Sequence, residues 1–261
     1  MRKTYRSEDT RSYWQRRWSA IPADAPMENE SAYPLRYALA ASAMVRGRML
    51  EAGCGAGRLL RYFFNRGHDI VGMDYIAEAV QKLKETAPSL PVEVGDITGM
   101  RFADGEFDCV LAFGLYHNFE PQQLMAALQE TARVMRDGGV LCASFRADNL
   151  CNRINDRLKQ RGTAGGRAFH KLNLREDEFR LMLEAAGFCV ERFEYVENMS
   201  LLYKFPVWRA AGGKVMNENA ARSGGYRLNA AGRFIQAALM RFFSASFAIS
   251  MWPPPGCGVD L

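Results

Sequence analysis

The chain has 261 residues, of which 48% are hydrophobic and 24% charged, and this composition excludes disordered and collagen-like proteins. Its length suits one large α/β domain, or one domain with an appended segment, better than two independent domains. The formal net charge of +5 is too small to indicate nucleic-acid binding by itself.

Positive charge is concentrated at the two ends of the chain. Residues 1–18 hold six basic and two acidic residues, and residues 201–261 hold seven basic and two acidic ones, so the segment between them has a net charge of −4. Two interpretations remain open: solvated basic ends, or basic ends that contact an anionic partner such as a phosphorylated substrate, a lipid headgroup or an acidic protein.

The six cysteines indicate a reducing compartment. They form no Cys-x-x-Cys pair, and no histidine completes a zinc-ligand spacing with them, so we expect no metal site. Charged and polar residues interrupt the first 30 positions, which lack the apolar core of a secretory signal. We therefore predict a cytoplasmic location.

Residues 1–44 are predicted to form an N-terminal helical cap. Tyr13, Trp14 and Trp18 lie among arginines within the first 20 positions, which we interpret as a helix. Two prolines within the next few residues mark a linker.

Residues 45–200 show the alternation of short apolar runs and helical segments that predicts βαβ units and a parallel sheet. A polar interval at 147–173, a candidate lid insertion, separates five strands from a helix at 176–186 and a sixth strand at 188–196. The five strands are predicted to begin near Met49, Ile70, Val92, Phe107 and Val140.

Residues 201–261 are predicted to form a C-terminal extension with a last strand and an amphipathic helix at 232–252. The polar side of the helical wheel holds Arg233, Gln236, Arg241 and Ser244. Because Arg241 lies in the middle of this run, a membrane span is not expected. Two interpretations remain open: a helix packed on the body or on a second copy in a homodimer, and a peripheral membrane contact whose Arg side faces headgroups.

The strongest local signal lies between residues 49 and 60. An apolar strand leads into Gly53, Gly55 and Gly57 and then into a helix, which lets a nucleotide approach the backbone beside a helix N-terminus. The spacing Gly-x-Gly-x-Gly differs from the Gly-x-Gly-x-x-Gly of dinucleotide-binding loops. Glu51, just before the glycines, would repel a phosphate and favours a ligand with a cationic or amine end.

Two further strand ends carry side chains that suit a nucleoside. Asp74 ends the second strand, about 20 residues beyond the glycine loop, where a carboxylate can accept hydrogen bonds from a ribose diol. Asp96 and Ile97 follow the third strand, where a polar acceptor and an apolar side chain can bracket an adenine.

These stretches resemble the class I S-adenosylmethionine-dependent methyltransferases, in particular the small-molecule group that includes ubiquinone and menaquinone methyltransferases. The resemblance covers about residues 45–195 and is carried by Leu50–Gly57, Gly72–Asp74, Gly95–Ile97, Phe107–His117, Arg133–Gly139 and Leu174–Phe188. It implies a Rossmann-like α/β fold with a mostly parallel seven-stranded sheet and helices on both faces. It also implies S-adenosylmethionine as the cofactor and S-adenosylhomocysteine as the product.

The resemblance implies roles for individual residues. It puts Gly53, Gly55 and Gly57 around the methionine part and the ribose, and Glu51 near the methionine amine. The other implied cofactor-binding residues are Asp74 at the ribose hydroxyls, Asp96 and Ile97 at the adenine, Ala112 and Phe113 beside the methionyl group, and Tyr75 and Tyr13. Tyr13 would belong to a helix that closes aromatic residues over the cofactor, and core packing of Trp14 and Trp18 is compatible with that role.

Fewer residues bear on the acceptor. Methyl transfer from a sulfonium is an in-line displacement, so the protein aligns the acceptor, excludes water and, for a hydroxyl, removes a proton. His117 follows the fourth strand and is a candidate base, or otherwise a pocket or capping residue, and Tyr116 is a candidate catalytic or pocket-wall residue. His170 would enter the pocket if the 147–173 interval folds as a lid, and would otherwise lie on the surface.

The leading prediction is a methyltransferase that acts on a hydroxyl of a small molecule or glycan. Motifs of DNA-base, cytosine-carbon and protein-arginine methyltransferases are missing, so nucleic acid is not an expected partner. A lipid or isoprenoid-linked acceptor, reached at the membrane surface, is an alternative. Two functions of other classes are alternatives. An NAD(P)-dependent reductase is opposed by the glycine spacing and by the lack of a Tyr-x-x-x-Lys pair. A catalytically silent protein that binds S-adenosylmethionine remains open.

Overall fold

The computed structural model describes residues 1–21, 23, 26–160, 168–196, 202, 205–212, 227–243 and 246–251. Its strands are β1 Arg2–Arg6, β2 Met49–Ala52, β3 Ile70–Asp74, β4 Val92–Val94, β5 Phe107–Ala112, β6 Met135–Phe145, β7 Ala168–Asn173, β8 Cys189–Tyr195 and β9 Ser246–Met251. Its helices are α1 Thr10–Ala20, α2 Leu35–Ser42, α3 Arg58–Phe64, α4 Ala77–Thr86, α5 Pro121–Val134, α6 Leu150–Gln160, α7 Glu176–Ala185 and α8 Ala230–Phe243. Short 3-10 turns lie at Tyr116–Asn118 and Pro206–Trp208.

A seven-stranded sheet forms the centre of the fold, in the order β4-β3-β2-β5-β6-β9-β8. The first five strands of this order pair in parallel, and β9 is antiparallel to both of its neighbours. The central strands β2 and β3 are buried along their whole length, as expected for parallel strands covered on both faces. The predicted α/β, Rossmann-like fold class is confirmed.

Helices cover both faces of this sheet because successive strand residues point to opposite sides. On one face, Leu50 and Val110 belong to a buried cluster that includes residues of α5 and α7. On the other face, Met49 and Cys109 belong to a cluster that includes residues of α2, α3 and α4. The chain order reverses between β2 and β5, and the carboxyl ends of strands at such a reversal form the usual ligand crevice of open α/β sheets.

The N-terminal segment differs from the single helix interpreted for residues 1–20. Residues 2–6 form β1, which pairs antiparallel with β7, so the candidate lid interval contains a strand as well as α6. The helix α1 begins at Thr10 because the Asp9 carboxylate accepts a hydrogen bond from the Ser12 backbone N–H at 3.0 Å. Residues 161–167 of the interval lie outside the described residues.

The helix predicted at 232–252 is wrong in its second half. The helix α8 ends at Phe243, and residues 246–251 form β9, which lies between β6 and β8. The two neighbouring strands supply backbone partners on both edges of this segment, and this pairing overrides the helical pattern of its apolar residues. Among the helices of the described residues, none combines the length and the apolar character that a membrane crossing needs.

Candidate active site

A cavity of about 750 Å³ opens at the carboxyl ends of β2, β3, β4 and β5. Its walls include seven residues that the sequence predicted for cofactor binding: Glu51, Gly53, Asp74, Tyr75, Asp96, Ile97 and Phe113. These residues follow four different strands, and the parallel sheet brings them to one edge. A site predicted from separate strand ends is therefore a single concave site.

The glycine loop adopts a backbone that residues with side chains rarely take. Gly53, Gly55 and Gly57 have φ values of +72°, +52° and +65°. A methyl group on Gly57 would lie 2.6 Å from the Leu83 side chain, so this glycine allows α3 and α4 to pack closely. Gly53 lies on the cavity wall, whereas Gly55 and Gly57 are not among the lining residues.

Asp74 ties the glycine loop to the end of β3. Its Oδ2 accepts a hydrogen bond from the Gly55 N–H at 2.8 Å, and its Oδ1 accepts one from the Ile76 N–H at 2.9 Å. Burial raises the pKa of this carboxyl, and the backbone donors oppose that rise. The side chain thus shapes the loop and at the same time faces the cavity.

Glu51 has a structural role that the sequence did not reveal. Its Oε2 accepts a hydrogen bond from the Leu60 N–H at 2.7 Å, which satisfies a backbone donor in the first turn of α3. Burial raises the pKa of Glu51 to about 8. A cationic group beside it would lower this pKa and stabilise the carboxylate.

The adenine-side residues predicted from the sequence lie together at the cavity. Asp96 is exposed, and its Oδ1 accepts hydrogen bonds from the backbone N–H and the hydroxyl of Thr98. Ile97 is buried. Tyr75 is half exposed, and its hydroxyl accepts a hydrogen bond from Arg11 of α1 at 3.2 Å.

The aromatic residues of α1 that line the cavity are Trp14 and Trp18, whereas Tyr13 was predicted. The two indoles are stacked, with ring centroids 5.5 Å apart, because residues four apart share a face of a helix. The Trp18 ring covers Gly55, where an added methyl group would lie 2.4 Å from it. Tyr13 points to another side and packs under Arg6, whose guanidinium carbon is 4.0 Å from the ring centroid.

The two residues predicted for catalysis lie behind the cavity wall. Tyr116 is fully buried in the core, and its hydroxyl shares a hydrogen bond of 2.9 Å with Thr131. His117 is also absent from the lining, and burial lowers its pKa well below the usual range. The 3-10 turn that holds both residues directs Asn118 to the cavity in their place. Ala112 is fully buried inside β5 and does not reach the cavity either.

Sequence reasoning missed several lining residues outside the motifs. Tyr33 lies on the wall, packs edge-on to Phe113 at 5.8 Å, and donates a hydrogen bond from its hydroxyl to Ser144 at 3.0 Å. Burial raises the pKa of Tyr33 to about 12. Phe169 of β7 also lines the cavity. No local pattern marks these positions, although the four-residue spacing of Trp14 and Trp18 was a usable signal.

The lining fits a nucleoside that carries a cationic amino-acid end. Five acidic residues line the cavity, and three of them, Glu51, Asp74 and Asp96, lie at strand ends, where carboxylate acceptors suit an amine and hydroxyl groups. Gly53 leaves the loop without a side chain where the ligand would approach. In the part of the chain that the structure describes, no group of three His, Cys, Asp or Glu residues could hold a metal ion.

Comparisons with known proteins agree with this geometry. Residues 49–139 match the family described as methyltransferase domain. The chain is 38% identical over 95 residues to a demethylmenaquinone methyltransferase of Beutenbergia cavernae, covering 36% of this chain and 38% of that protein. It is 31% identical over 107 residues to a malonyl-[acyl-carrier protein] O-methyltransferase of Enterobacter lignolyticus, covering 40% of this chain and 41% of the relative. The chain thus spans about two fifths of the length of these curated relatives.

Solved structures extend the similarity beyond the matched domain. The crystal structure of a SAM-dependent methyltransferase from Archaeoglobus fulgidus superposes with a TM-score of 0.58 at 16% identity, covering 94% of this chain and 95% of that one. At this identity the superposition establishes the fold. Together with the domain match, it agrees with the resemblance found in the sequence. Residues 49–139 match the methyltransferase domain family, and the chain has the fold of the class I, S-adenosylmethionine-dependent methyltransferases.

Proposed function

We propose that this protein transfers a methyl group from S-adenosylmethionine to a small-molecule acceptor, with a hydroxyl of a small molecule or glycan as the leading acceptor group. The observation that carries the proposal is the single cavity that joins Glu51, Asp74 and Asp96 to an aromatic wall. Its volume of about 750 Å³ falls within the range of about 300–1,000 Å³ typical of ligand pockets. The methyltransferase domain match over residues 49–139 supports the same activity.

In this proposal the cofactor lies along the strand ends. Glu51 binds the methionine amine, Asp74 binds the ribose hydroxyls, and Asp96 with Ile97 contacts the adenine. Trp18 and Tyr75 form the outer wall of this part, because Trp18 covers Gly55 and Tyr75 is held by Arg11 of the same helix. Phe113 lies between this part and the acceptor end.

The acceptor end is formed by residues that have no cofactor role in the proposal. Trp14, Tyr33, Asn118 and Phe169 line it. When bound, the cofactor supplies an electrophilic methyl group on a sulfonium. The protein then aligns the acceptor and excludes water, and such alignment can supply several kcal/mol of the barrier reduction. His117, the candidate base of the sequence analysis, is given no proton-accepting role in this proposal, because it does not line the cavity and burial lowers its pKa well below the usual range.

Calorimetry tests the cofactor directly. The full-length protein is titrated with S-adenosylhomocysteine and separately with NADH, and we expect binding heat with the former. Heat with NADH alone would refute the proposal and favour the reductase alternative. Product formation across a panel of hydroxylated acceptors, with S-adenosylmethionine present, then separates an enzyme from a silent binder.

An alternative acceptor is a lipid or isoprenoid-linked molecule reached from the membrane surface by a protein that otherwise resides in the cytoplasm. Phe234 of α8 is 75% exposed and adjoins Arg233, a combination found on interfacial helices. Similarity to a demethylmenaquinone methyltransferase is compatible with this acceptor class. Within the segment 232–252 that the sequence predicted as an amphipathic helix, α8 is the candidate contact surface, since residues 246–251 belong to the sheet.

Flotation with anionic vesicles tests the membrane alternative. The substitution Phe234→Ser is expected to reduce vesicle binding, because it removes the exposed aromatic ring while leaving β9 intact. Leu181→Ser is the matched control, since Leu181 is also exposed but lies on α7. Equal flotation of both variants and the wild type would rule out α8 as the membrane contact.

A further inference from the structure

The acceptor end of the cavity has aromatic walls. Trp14, Tyr33 and Phe169 line it. The Trp14 ring is stacked on that of Trp18 at an interplanar angle of 19°, so the aromatic wall continues towards the cofactor part. The Tyr33 ring meets that of Phe113 edge to face, at 89°. Because aromatic rings attract one another in stacked and edge-to-face arrangements, these walls suit a planar ring.

The polar groups of the same end already have hydrogen-bond partners inside the protein. The Asn118 side-chain nitrogen donates to two backbone carbonyls at 2.8 and 2.9 Å, and its Oδ1 accepts from Nε1 of Trp14 at 3.3 Å. The Tyr33 hydroxyl donates to Oγ of Ser144 at 3.0 Å, and the Gly114 N–H donates to the same oxygen at 2.7 Å. These side chains therefore need no hydrogen bond from an acceptor.

Other polar side chains of the lining are engaged in the same way. The Thr10 hydroxyl donates to a backbone carbonyl of β7 at 3.2 Å, and the Asp9 carboxylate caps α1. Glu120 forms an ion pair with Lys3, and the Arg17 guanidinium carbon lies 5.9 Å from the centroid of an indole in the aromatic wall. A sugar, whose several hydroxyl groups each need a partner when buried, is poorly served by such a surface.

The wall also lacks an efficient proton acceptor. None of the described residues that line the cavity is a histidine. Burial raises the pKa of Tyr33 to about 12, and the hydrogen bonds from Ser12 lower the pKa of Asp9, which makes Asp9 a weak base. A phenolic hydroxyl, with a pKa of about 10, loses its proton far more readily than an aliphatic hydroxyl, which resembles water with about 15.7. The site therefore favours an acceptor that is itself acidic.

We infer that the acceptor is a planar aromatic molecule whose ring hydroxyl receives the methyl group. The ring packs against Trp14, and the hydroxyl gives up its proton to water. Its oxygen then forms the new bond to the methyl carbon, while the electron pair of the broken carbon–sulfur bond stays on the sulfur of S-adenosylhomocysteine. The inference rests on the proposed function and narrows its acceptor group from any hydroxyl, a glycan included, to an aromatic one.

The first experiment measures binding without turnover. The full-length protein, saturated with S-adenosylhomocysteine, is titrated by calorimetry with 2-naphthol, with decahydro-2-naphthol and with methyl glucoside. We expect 2-naphthol to bind about tenfold more tightly than its saturated analogue, because only the planar ring stacks on the indole. No binding heat is expected with the glucoside. Decahydro-2-naphthol or the glucoside bound as tightly as 2-naphthol would overturn the inference, whereas failure to bind S-adenosylhomocysteine would overturn the proposed function itself.

Two substitutions of Trp14 separate stacking from the other contacts of this residue. Trp14→Phe keeps a ring but loses the hydrogen bond to Asn118, and it should retain the preference for 2-naphthol over its saturated analogue. Trp14→Leu should reduce this preference towards one. Trp208→Leu is the matched control, because Trp208 does not line the cavity. Binding of S-adenosylhomocysteine by each variant shows that it is folded, and an unchanged preference in Trp14→Leu would contradict the role of the indole.

The second experiment measures methyl transfer. The wild type is expected to methylate 2-naphthol with about a hundredfold higher kcat/KM than methyl glucoside. Because no protein base is invoked, kcat/KM should rise with pH up to the pKa of the acceptor, and the midpoint should be lower for the more acidic 6-cyano-2-naphthol. One midpoint shared by both naphthols would assign proton removal to a protein group and contradict the inference. Methylation of the glucoside in preference to 2-naphthol would overturn it while leaving the methyltransferase proposal intact.

Discussion

Glu51 has two roles: its carboxyl stabilises the first turn of α3, and its negative charge favours a cationic group of the ligand. Its carboxyl accepts the Leu60 N–H at 2.7 Å, so the side chain is needed for the first turn of α3 even without a ligand. Burial raises its pKa to about 8, which means that an ionised Glu51 destabilises the folded protein until a cation is placed beside it. The residue is therefore tuned for a positively charged partner.

Glu51→Gln is expected to remove a pH-dependent part of stability. The pKa rises from 4.5 to about 8 on folding, so between these values the folded protein retains a proton that the unfolded chain has released. The free energy of unfolding of the wild type therefore falls as the pH rises from about 4.5 to about 8. Relative to the wild type, the free energy of unfolding of Glu51→Gln should rise by at most about 1.4 kcal/mol per pH unit. Urea unfolding at pH 5, 6, 7 and 8 measures the difference, and a difference that does not change with pH contradicts the assignment.

Gly55→Ala is expected to disturb the contact between the loop and α1. The added methyl group would lie 2.4 Å from the Trp18 ring, and the residue has a φ of +52°. Gly105→Ala is the control, because Gly105 has a φ of +65° but its nearest neighbour would be 3.9 Å away. We expect an additional loss of about 1–3 kcal/mol in Gly55→Ala from overpacking, together with at least tenfold weaker binding of S-adenosylhomocysteine. Equal losses in the two variants would indicate backbone strain alone.

At the scale of elements, the helix α1 forms part of the cavity wall and is held in place by hydrogen bonds from α4. None of its residues is buried, so the helix gains little from core packing. Instead, Nζ of Lys82 in α4 donates hydrogen bonds to the carbonyls of Trp18, Ser19 and Ile21 at 3.2, 2.8 and 2.9 Å. This lysine closes the C-terminal end of the helix and fixes the position of Trp18.

Lys82→Met is expected to weaken cofactor binding, although Lys82 does not line the cavity. Loss of the three donors loosens the end of α1, and we expect about tenfold weaker binding of S-adenosylhomocysteine, equivalent to about 1.4 kcal/mol. Lys84→Met, an exposed position on the same helix, should bind like the wild type. Calorimetry gives both affinities, and tryptophan fluorescence should show a smaller change on binding in Lys82→Met.

At the scale of the whole molecule, β9 holds the end of the sheet together. It is paired over six positions with β6 and over six with β8, and β8 has no other strand neighbour within the described residues. Deletion of residues 246–261 should therefore abolish cooperative thermal unfolding, whereas deletion of residues 252–261 leaves β9 in place and should retain it. Far-ultraviolet circular dichroism during heating distinguishes the two outcomes, and a cooperative transition in the longer deletion would contradict this role.

The sequence predicts the parallel half of the fold well and the outer elements poorly. Strands at Met49, Ile70 and Phe107 are buried on both faces, and turns bound them, so short apolar runs identify them. The ends of β2, β3 and β4 place Glu51, Asp74 and Asp96 at one edge of the sheet, which made the cofactor end predictable. β1 was missed, and the last strand was predicted for the C-terminal extension while residues 246–251 were assigned to a helix. Each of these strands pairs with a strand more than 100 residues away, and its own residues fit a helical pattern equally well.

The acceptor end was less predictable for a related reason. Which residue of Tyr116, His117 and Asn118 faces the cavity depends on the pitch of one 3-10 turn. Whether Trp14 and Trp18 or Tyr13 face the cavity depends on how α1 is rotated about its axis. Such rotations are set by tertiary contacts, among them those of Lys82 and β7, and not by local preference.

The position of β9 also determines the order of events during synthesis. The strand β8 is made some 50 residues before β9, yet it can join the sheet only through β9. While the ribosome translates the intervening segment, β6 is the open edge of a five-stranded parallel sheet, and open edges invite pairing between nascent chains. Completion of the sheet thus waits for residue 251, and folding is expected to be slower and more dependent on chaperones than the compact nucleotide-binding half alone would require.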